Sequence, residues 1–497
     1  MSKQEQKEIL LKIEDLKQYF PVGKKSFFGK GEQLYVRAND GVTVNIYKGE
    51  TLGLVGESGC GKSTLGRSIL QLYEQTDGRT MYYGTNIYEV NPKYVKENIK
   101  NYPENKKKFI AAESEKNKKI DEIEKISDET EKLKAIESLK DVEKKARHLF
   151  YDIIELAGAM VLVKDDEKVS KLLMEEFNLN CELTKIKNSV KPVIANGEPT
   201  KELSADQINK IAELEKKLER NKADMDQLLG TVKDNPNFEA YSAEKGIGVN
   251  LANLEDTEMR EIRDQLQLIF QDPYSSLNPR LTVGQIISEG LNAHPKFKNM
   301  ENKQDYILKI MEDCGLAPYF IHRYPHQFSG GQRQRIGIAR SVALQPEFIV
   351  CDEAVSALDV SIQSQIINLL LDLKEKDNLT YLFISHDLSV IKYISDRVAV
   401  MYLGNIVELA DTGELYSHPM HPYTEALLAA IPTTDSDNRK EIQILEGDIP
   451  SPIRPPKGCK FHTRCKYADE ICNTVTPVLE EKRPGHFVAC HHHLNEE

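Results

Sequence analysis

A glycine-rich run between a short apolar segment and a helical segment carries the clearest chemistry in this sequence of 497 residues. Thr51–Val55 predicts a buried strand, and Ser63–Leu70 predicts the helix that follows it. The residues of the run that we expect to bind phosphate are Gly56, Glu57, Ser58, Gly59, Cys60, Gly61, Lys62, Ser63 and Thr64. In such a loop the backbone N–H groups and the helix N-terminus point at the anion, Lys62 reaches the β- and γ-phosphates, and the Ser63 hydroxyl binds Mg²⁺.

Two further apolar segments end in polar side chains. Phe348–Cys351 predicts a second buried strand, which is followed by Asp352 and Glu353. Phosphoryl transfer depends on charges held in accurate positions, so we expect Asp352 to hold Mg²⁺ through water and Glu353 to orient or deprotonate the attacking water. Tyr381–Ser385 predicts a third strand, and His386 follows it. The pattern predicts an α/β fold in which strand ends gather the reacting groups.

A second phosphate-binding pattern lies far along the chain. Ser329, Gly330, Gly331 and Gln332 precede a helical stretch, Arg333–Leu344, and Ser329 is a good N-cap. The helix N-terminus and the glycine N–H groups suit a γ-phosphate. The loop at residues 56–63 already supplies a cradle for the phosphates, however.

Taken together and in this order, the motifs resemble those of the nucleotide-binding subunits of ABC transporters. The resemblance implies that two such subunits pack head to tail, and that residues 329–332 of each close the ATP site of the other. It implies that His386 contacts the γ-phosphate and that Gln271 senses both Mg²⁺ and the permease. It implies that Asp359 contacts the opposite subunit. It also implies an aromatic ring stacked on adenine, for which we favour Phe20 over Tyr19.

The same resemblance implies the architecture. We expect the α/β fold of P-loop NTPases, with a RecA-like core, an antiparallel β subdomain and a helical subdomain that carries the signature. Residues 1–88 and 247–420 are assigned to this discontinuous ABC nucleotide-binding domain. Residues 89–246 are assigned to an inserted α-helical subdomain, and residues 421–497 to a small Cys-rich C-terminal region.

Other segments narrow the resemblance to oligopeptide and dipeptide importers. Ile269–Arg280 resembles their glutamine-loop region, and His421–Pro432 resembles the start of their C-terminal region. Phe20–Val22 and Gly31–Val36 favour the F-type ATPase subunit of the Opp/Dpp systems. The implied partners are a homologous D-type ATPase subunit, two transmembrane permease subunits and, indirectly, an extracytoplasmic peptide-binding protein.

Four of the cysteines lie near the end of the sequence, namely Cys459, Cys465, Cys472 and Cys490. Their spacing is neither the paired Cys-x-x-Cys of a zinc ribbon nor a ferredoxin run, but it favours a metal site over free thiols. Soft thiolates suit both zinc and iron–sulfur clusters. The resemblance to peptide importers implies a [4Fe-4S] cluster, with zinc as the alternative metal.

The inserted segment is rich in Lys and Glu and has helical periodicity. Apolar residues step by three or four through Leu133–Leu156, which predicts an amphipathic helix. Ser204 and Gln207 form a capping box that predicts the start of a second helix, which we expect Gly230 to close. The insertion is either a solvated decoration or a docking surface for a partner.

Composition limits the other functions. The formal net charge of −12 argues against a general nucleic-acid binder, so we expect no nucleic-acid partner. No apolar run reaches the roughly 18 residues that a membrane-spanning helix needs. The first residues also lack a signal-peptide core. We therefore expect a subunit at the cytoplasmic face of the cell membrane, held there by the permease. The competing class is a soluble ABC protein that acts on ribosomes or DNA ends, but those proteins carry two ATPase halves or a far longer coiled coil.

Overall fold

The computed structural model describes residues 7–23, 33–126, 129–192, 202–298, 300–430 and 447–495. Gly31, Glu32, Ile431 and Pro432, named above, lie outside these ranges. The chain divides into two compact units. Unit 1 comprises Met1–Gly84, Asn250–Ala252 and Ile262–Glu497, and unit 2 comprises Thr85–Val249 and Asn253–Glu261.

The strands are β1 (Ile9–Val22), β2 (Leu34–Tyr47), β3 (Thr51–Val55), β4 (Asp77–Tyr82), β5 (Val249–Asn250), β6 (Leu266–Ile269), β7 (Phe348–Asp352), β8 (Thr380–Ile384), β9 (Arg397–Tyr402), β10 (Asn405–Asp411), β11 (Glu480–Arg483) and β12 (His486–Val488). The helices are α1 (Lys62–Ile69), α2 (Ile87–Val90), α3 (Lys93–Lys100), α4 (Tyr102–Glu124), α5 (Glu129–Ala157), α6 (Asp166–Asn188), α7 (Ala205–Gly230), α8 (Phe238–Ala243), α9 (Asp256–Glu261), α10 (Val283–Ala293), α11 (Lys303–Asp313), α12 (Gly330–Val342), α13 (Val360–Asp377), α14 (Leu388–Ile394), α15 (Thr412–Ser417), α16 (Pro422–Ala429) and α17 (Glu470–Thr474).

The main sheet of unit 1 has the strand order β11-β12-β10-β9-β3-β8-β7-β6. The run from β9 to β6 is parallel, and every residue of β3, β7 and β8 is buried. Such strands are apolar throughout because they have neighbours on both edges and helices against the sheet, here α1 and α14. Parallel strands end at one edge of a sheet, so the residues that follow β3, β7 and β8 are brought together there.

A second sheet has the order β2-β1-β4-β5. β1 pairs with β2 and with β4 in antiparallel register, and its far end carries Tyr19 and Phe20 opposite Arg37 and Val36. The register of β1 shifts between Ile13 and Leu16. This sheet positions the two candidate adenine-binding aromatics.

Unit 2 is helical and larger than a hairpin. α5 and α7 form where the sequence predicts helices, and Ser204 and Gln207 make the predicted capping box. α7 ends at Gly230, as the sequence predicts, with Gly230 as the last helical residue and Thr231 as the C-cap. Two further long helices, α4 and α6, pack against α5 and α7. The ends of its long segment meet, since Ile87 N–H donates to the carbonyl of Ile247 at 3.0 Å.

The C-terminal segment extends the main sheet of unit 1. β12 pairs with β10 and β11 in antiparallel register. Glu408 of β10 is fully buried and accepts hydrogen bonds from the N–H groups of Met420 and His421, at 2.6 and 2.9 Å. Its carboxylate also lies 2.7 Å from Nε2 of buried His486. In the described part of the chain, no helix has both the length and the apolar character that a membrane span requires.

Candidate nucleotide site

The glycine-rich run forms a tight loop between β3 and α1. Gly61 has φ 105°, and a Cβ atom there would lie 2.1 Å from the carbonyl oxygen of Ala38, so this position needs glycine. Lys62 is buried, and its Nζ donates to the carbonyls of Gly56 and Glu57 at 2.8 and 3.0 Å. The ammonium group therefore lies inside the loop whose backbone is predicted to hold phosphate.

The two residues predicted to share Mg²⁺ lie side by side. The Ser63 hydroxyl donates to Oδ1 of Asp352 at 2.6 Å, and the Asp352 side chain is 1% exposed. The other oxygen, Oδ2, accepts from Arg67 at 3.1 Å. Sequence reasoning missed Arg67, although it lies one helical turn after Ser63 and so on the same face of α1. Hydroxyl and carboxylate oxygens are ligands that Mg²⁺ prefers.

A second group forms around Glu353 at the same sheet edge. Glu353 has the left-handed φ of 49°, which is uncommon outside glycine, and its N–H donates to the carbonyl of Ile384 at 3.1 Å. Its Oε2 accepts from Nε2 of Gln271 at 2.6 Å and lies 3.7 Å from Nδ1 of His386. Gln271 therefore contacts the candidate base directly. The side chains of Gln271 and His386 both approach the same carboxylate oxygen of Glu353.

The signature tetrad, Ser329, Gly330, Gly331 and Gln332, forms the first turn of α12. The helix therefore begins at Gly330, three residues before the predicted Arg333. The Ser329 hydroxyl accepts from the N–H of Gln332 at 3.3 Å, and the Gln332 side chain accepts from the N–H of Ser329 at 3.1 Å. A Cβ atom on Gly331 would lie 2.3 Å from the Ile362 side chain. Gly330, between Ser329 and Gly331, is half-buried. Among the described residues, no hydrogen bond joins this turn to the phosphate loop.

Asp359 begins α13 beside that turn. Its Oδ1 accepts from the N–H of Ile362 at 3.0 Å and from the Ser361 hydroxyl at 2.8 Å. The backbone hydrogen bond from Ile362 and the side-chain bond from Ser361 lower the pKa of the Asp359 carboxyl. Ile362 thus links the predicted subunit-contact loop to Gly331 of the signature.

The two candidate adenine-binding aromatics differ in their surroundings. Tyr19 donates its hydroxyl to Asp40, and burial together with that bond raises the pKa of Tyr19. Phe20 is half-buried, and its ring meets that of Tyr73 edge-on with centroids 5.3 Å apart. Polar partners hold Tyr19 in place, whereas Phe20 packs only through its ring. The choice of Phe20 stays a prediction.

The four C-terminal cysteines meet in unit 1. Cys459, Cys465, Cys472 and Cys490 line one small cavity, together with His421 and Phe461. Burial raises the pKa of all four thiols, to about 12 for Cys490, and neighbouring thiols raise them further for Cys459, Cys465 and Cys490. Ligand atoms of Asp469, Cys472 and His492 also lie within 4.8 Å of one another.

Comparisons with known proteins address the same regions. Residues 39–161 and 238–356 match the family model of ABC transporters. Residues 407–472 match the model described as the C-terminal region of oligopeptide/dipeptide transporters. Over 487 residues the chain is 34% identical to the oligopeptide transport ATP-binding protein AppF of Bacillus subtilis, with 97% of each chain covered. The chain belongs to the family of ABC-type oligopeptide transport ATP-binding subunits.

Other members and one solved structure give similar results. OppF of Salmonella typhimurium is 36% identical over 491 residues, which cover 98% of this chain and 97% of OppF. A relative in Brucella ovis is 56% identical over 246 residues, which cover 49% of this chain and 76% of the relative. The dimeric ATP-binding cassette MJ0796 aligns with 17% identity and a TM-score of 0.42, covering 81% of this chain and 99% of the cassette. The family-model match and the whole-length similarity to AppF and OppF confirm the predicted ABC family and nucleotide-binding fold. Residues 162–237 of unit 2 lie outside both family models.

Proposed function

We propose that this ABC subunit hydrolyses ATP to power peptide import through a membrane permease. One observation carries the proposal. The pair of Ser63 and Asp352 and the group around Glu353 lie at the same sheet edge as the phosphate loop. This arrangement supplies the phosphate-binding, cation-binding and water-activating groups that phosphoryl transfer needs. The assignment to peptide import rests on AppF and OppF, whose names describe oligopeptide transport.

Each group takes one role in hydrolysis. Lys62 binds the β- and γ-phosphates, and the loop N–H groups around it hold their oxygens. Ser63, Asp352 and Gln271 would hold Mg²⁺, which when bound neutralises phosphate charge. Glu353 accepts the proton of the attacking water, and His386 contacts the γ-phosphate. The contact between Gln271 and Glu353 supports this division, because it gives the base a fixed orientation.

The ATP site is completed by a second subunit. The N-terminus of α12 carries Ser329 and two glycines and is hydrogen-bonded within itself rather than to the phosphate loop. Its N–H groups suit an anion supplied from outside this chain. We infer that they close on ATP held by a homologous D-type subunit, that Asp359 contacts that subunit, and that two permease subunits hold the pair at the cytoplasmic face of the membrane.

The cysteine cavity fits a soft metal centre. Four thiols line one small space, and burial disfavours their charged forms, so a metal cation is what would keep them as thiolates. A [4Fe-4S] cluster there would cross-link the C-terminal segment, with zinc as the alternative. Anaerobically purified protein should contain iron and absorb broadly in the visible range. Cys459→Ser should lose the metal and Cys181→Ser, in unit 2, should keep it. Finding zinc without iron would reject the cluster. Finding neither metal in the protein would reject the site.

The remaining assignments concern the domains. We propose that residues 89–246 form an insertion that contributes no catalytic group, since the residues that converge at the sheet edge all lie in unit 1. Residues 1–88 and 247–420 would form the nucleotide-binding domain, and residues 421–497 would hold the metal site.

Peptide uptake by the native organism tests the proposed function. Cells that lack the gene should take up labelled short peptides poorly, and the wild-type gene should restore uptake while Glu353→Gln should not. Glu375→Gln, which makes the same charge change at an exposed position of α13, is the matched control and should restore uptake. The chain should also co-purify with two permease subunits and a second ATPase from solubilised membranes. Normal uptake without the gene would reject the importer assignment.

A further inference from the structure

The segment between two of the clustered cysteines contacts the phosphate loop. Arg464, which directly precedes Cys465, donates from Nη1 and Nη2 to the two carboxylate oxygens of Glu57 at 2.8 and 3.0 Å. The Arg464 side chain is 5% exposed and that of Glu57 is 23% exposed. A two-pronged pair of this kind fixes orientation as well as distance.

The backbone of the same loop residue is held by an aromatic cluster. The N–H of Glu57 donates to the hydroxyl of Tyr423 at 2.9 Å. The Tyr423 ring packs against Phe461 and Tyr402, with centroids 5.4 and 4.8 Å apart. Phe461 lies between Cys459 and Cys465 in the sequence, so the cysteine segment also supports this second contact.

Glu57 connects both contacts to the candidate phosphate-binding lysine. Its carboxylate binds Arg464, its N–H binds Tyr423, and its carbonyl accepts from Nζ of Lys62 at 3.0 Å. All three polar groups of this one residue are therefore engaged. A shift of Arg464 would be transmitted directly to the backbone that surrounds the lysine ammonium.

A further contact reaches β2, which pairs with the strand that carries the two candidate adenine-binding aromatics. Lys460, which follows Cys459, donates from Nζ to Asp40 at 2.9 Å and to the carbonyl of Leu403 at 3.0 Å. Asp40 in turn accepts from the Tyr19 hydroxyl. The residues next to Cys459 and Cys465 thus support the two ends of the proposed ATP site.

We propose that the segment Cys459–Cys465 positions the nucleotide site, with Arg464 as the positioning residue that acts through Glu57. A metal held by the flanking cysteines fixes the backbone of this segment, so occupancy of the cysteine site sets the affinity for ATP. The inference rests on the proposed ATP site. It needs a metal at the cysteines but not the identity of that metal.

Equilibrium binding of a fluorescent ATP analogue with Mg²⁺ tests the link, with the full chain as purified. Arg464→Gln should weaken binding about tenfold, equivalent to about 1.4 kcal/mol. Glu57→Gln should do the same, and the double variant should be no weaker than either single one, because the two changes remove one interaction. In steady-state hydrolysis the KM should rise with little change in kcat. Arg464→Lys should recover part of the loss.

Two further variants distinguish the loss of the contacts to Glu57 from a general loss of folding. Lys466 is the other neighbour of Cys465, and its ammonium group lies 3.1 Å from the carboxylate of Glu425. Lys466→Gln should bind nucleotide normally. Tyr423→Phe keeps the ring and removes only the hydroxyl that Glu57 uses, so it should weaken binding even if Arg464→Gln does not fold. Thermal unfolding and metal content identify folded, loaded protein.

Metal removal completes the test. Stripping the metal with a chelator should weaken nucleotide binding by the wild-type protein, and it should weaken binding by Arg464→Gln by a smaller factor, because the contact between Arg464 and Glu57 is already absent. The proposal is overturned if folded Arg464→Gln and Tyr423→Phe bind within about twofold of wild type, the scatter of neutral surface changes. It is also overturned if stripping leaves wild-type affinity unchanged. If the loaded wild-type protein binds no ATP, the proposed function fails instead.

Discussion

Replacing Glu353 with glutamine removes the proposed base with little change of shape. In the protein, Oε2 of Glu353 accepts from Gln271 at 2.6 Å, and an amide oxygen can accept the same bond. An amide cannot take a proton from water, however. A positioned general base contributes about 10²–10⁴-fold to rate, so the barrier should rise by about 3–5 kcal/mol. Nucleotide affinity should be retained, because the contacts of Lys62 and the Ser63–Asp352 bond do not involve this carboxylate.

Single-turnover hydrolysis of labelled ATP, measured with the assembled transporter, separates these two effects. Glu353→Gln should bind ATP with near wild-type affinity and accumulate in the closed, ATP-bound dimer. Glu375→Gln should hydrolyse ATP at the wild-type rate. Hydrolysis by Glu353→Gln within about tenfold of wild type, less than the smallest effect expected of a general base, would remove Glu353 from this role.

Three other substitutions address different parts of unit 1. Gly61→Ala should abolish ATP binding in a titration, because its Cβ would lie 2.1 Å from the carbonyl oxygen of Ala38. Arg397→Met should lower the free energy of unfolding by about 3 kcal/mol in a denaturant titration, because it leaves the buried carboxylate of Glu50 without its 3.2 Å partner. Ser329→Arg, combined with a normal partner subunit, should inactivate only the ATP site held by the partner, and labelled nucleotide trapped at each site would show which one fails.

The positions of the glycine-rich loop and of the candidate reacting groups were predictable because each depends on local sequence. A short apolar strand ends where its apolar run ends, and β7 and β8 lie within one residue of their predicted bounds. Once the strands are parallel, the side chains that follow them must share an edge. Asp352 could therefore be placed beside Ser63, and His386 beside Glu353, from sequence alone.

The features that sequence did not predict lack a local pattern. Arg464 and Glu57 are 407 positions apart, and nothing near either residue indicates the other. Helix α4 was missed because the buried apolar residues along it are few, Phe109 and Ala112 among them, and Lys and Glu fill the rest.

The hydrogen bond between Ile87 and Ile247 has a consequence for how this gene can change. Since the segment 87–247 starts and finishes at neighbouring backbone positions, its coding sequence can be gained, lost or exchanged as one cassette, and a short turn suffices to join residues 86 and 248. The same site offers protein engineers an attachment point for a reporter domain. A graft there would leave the order of the strands that carry the phosphate loop unaltered.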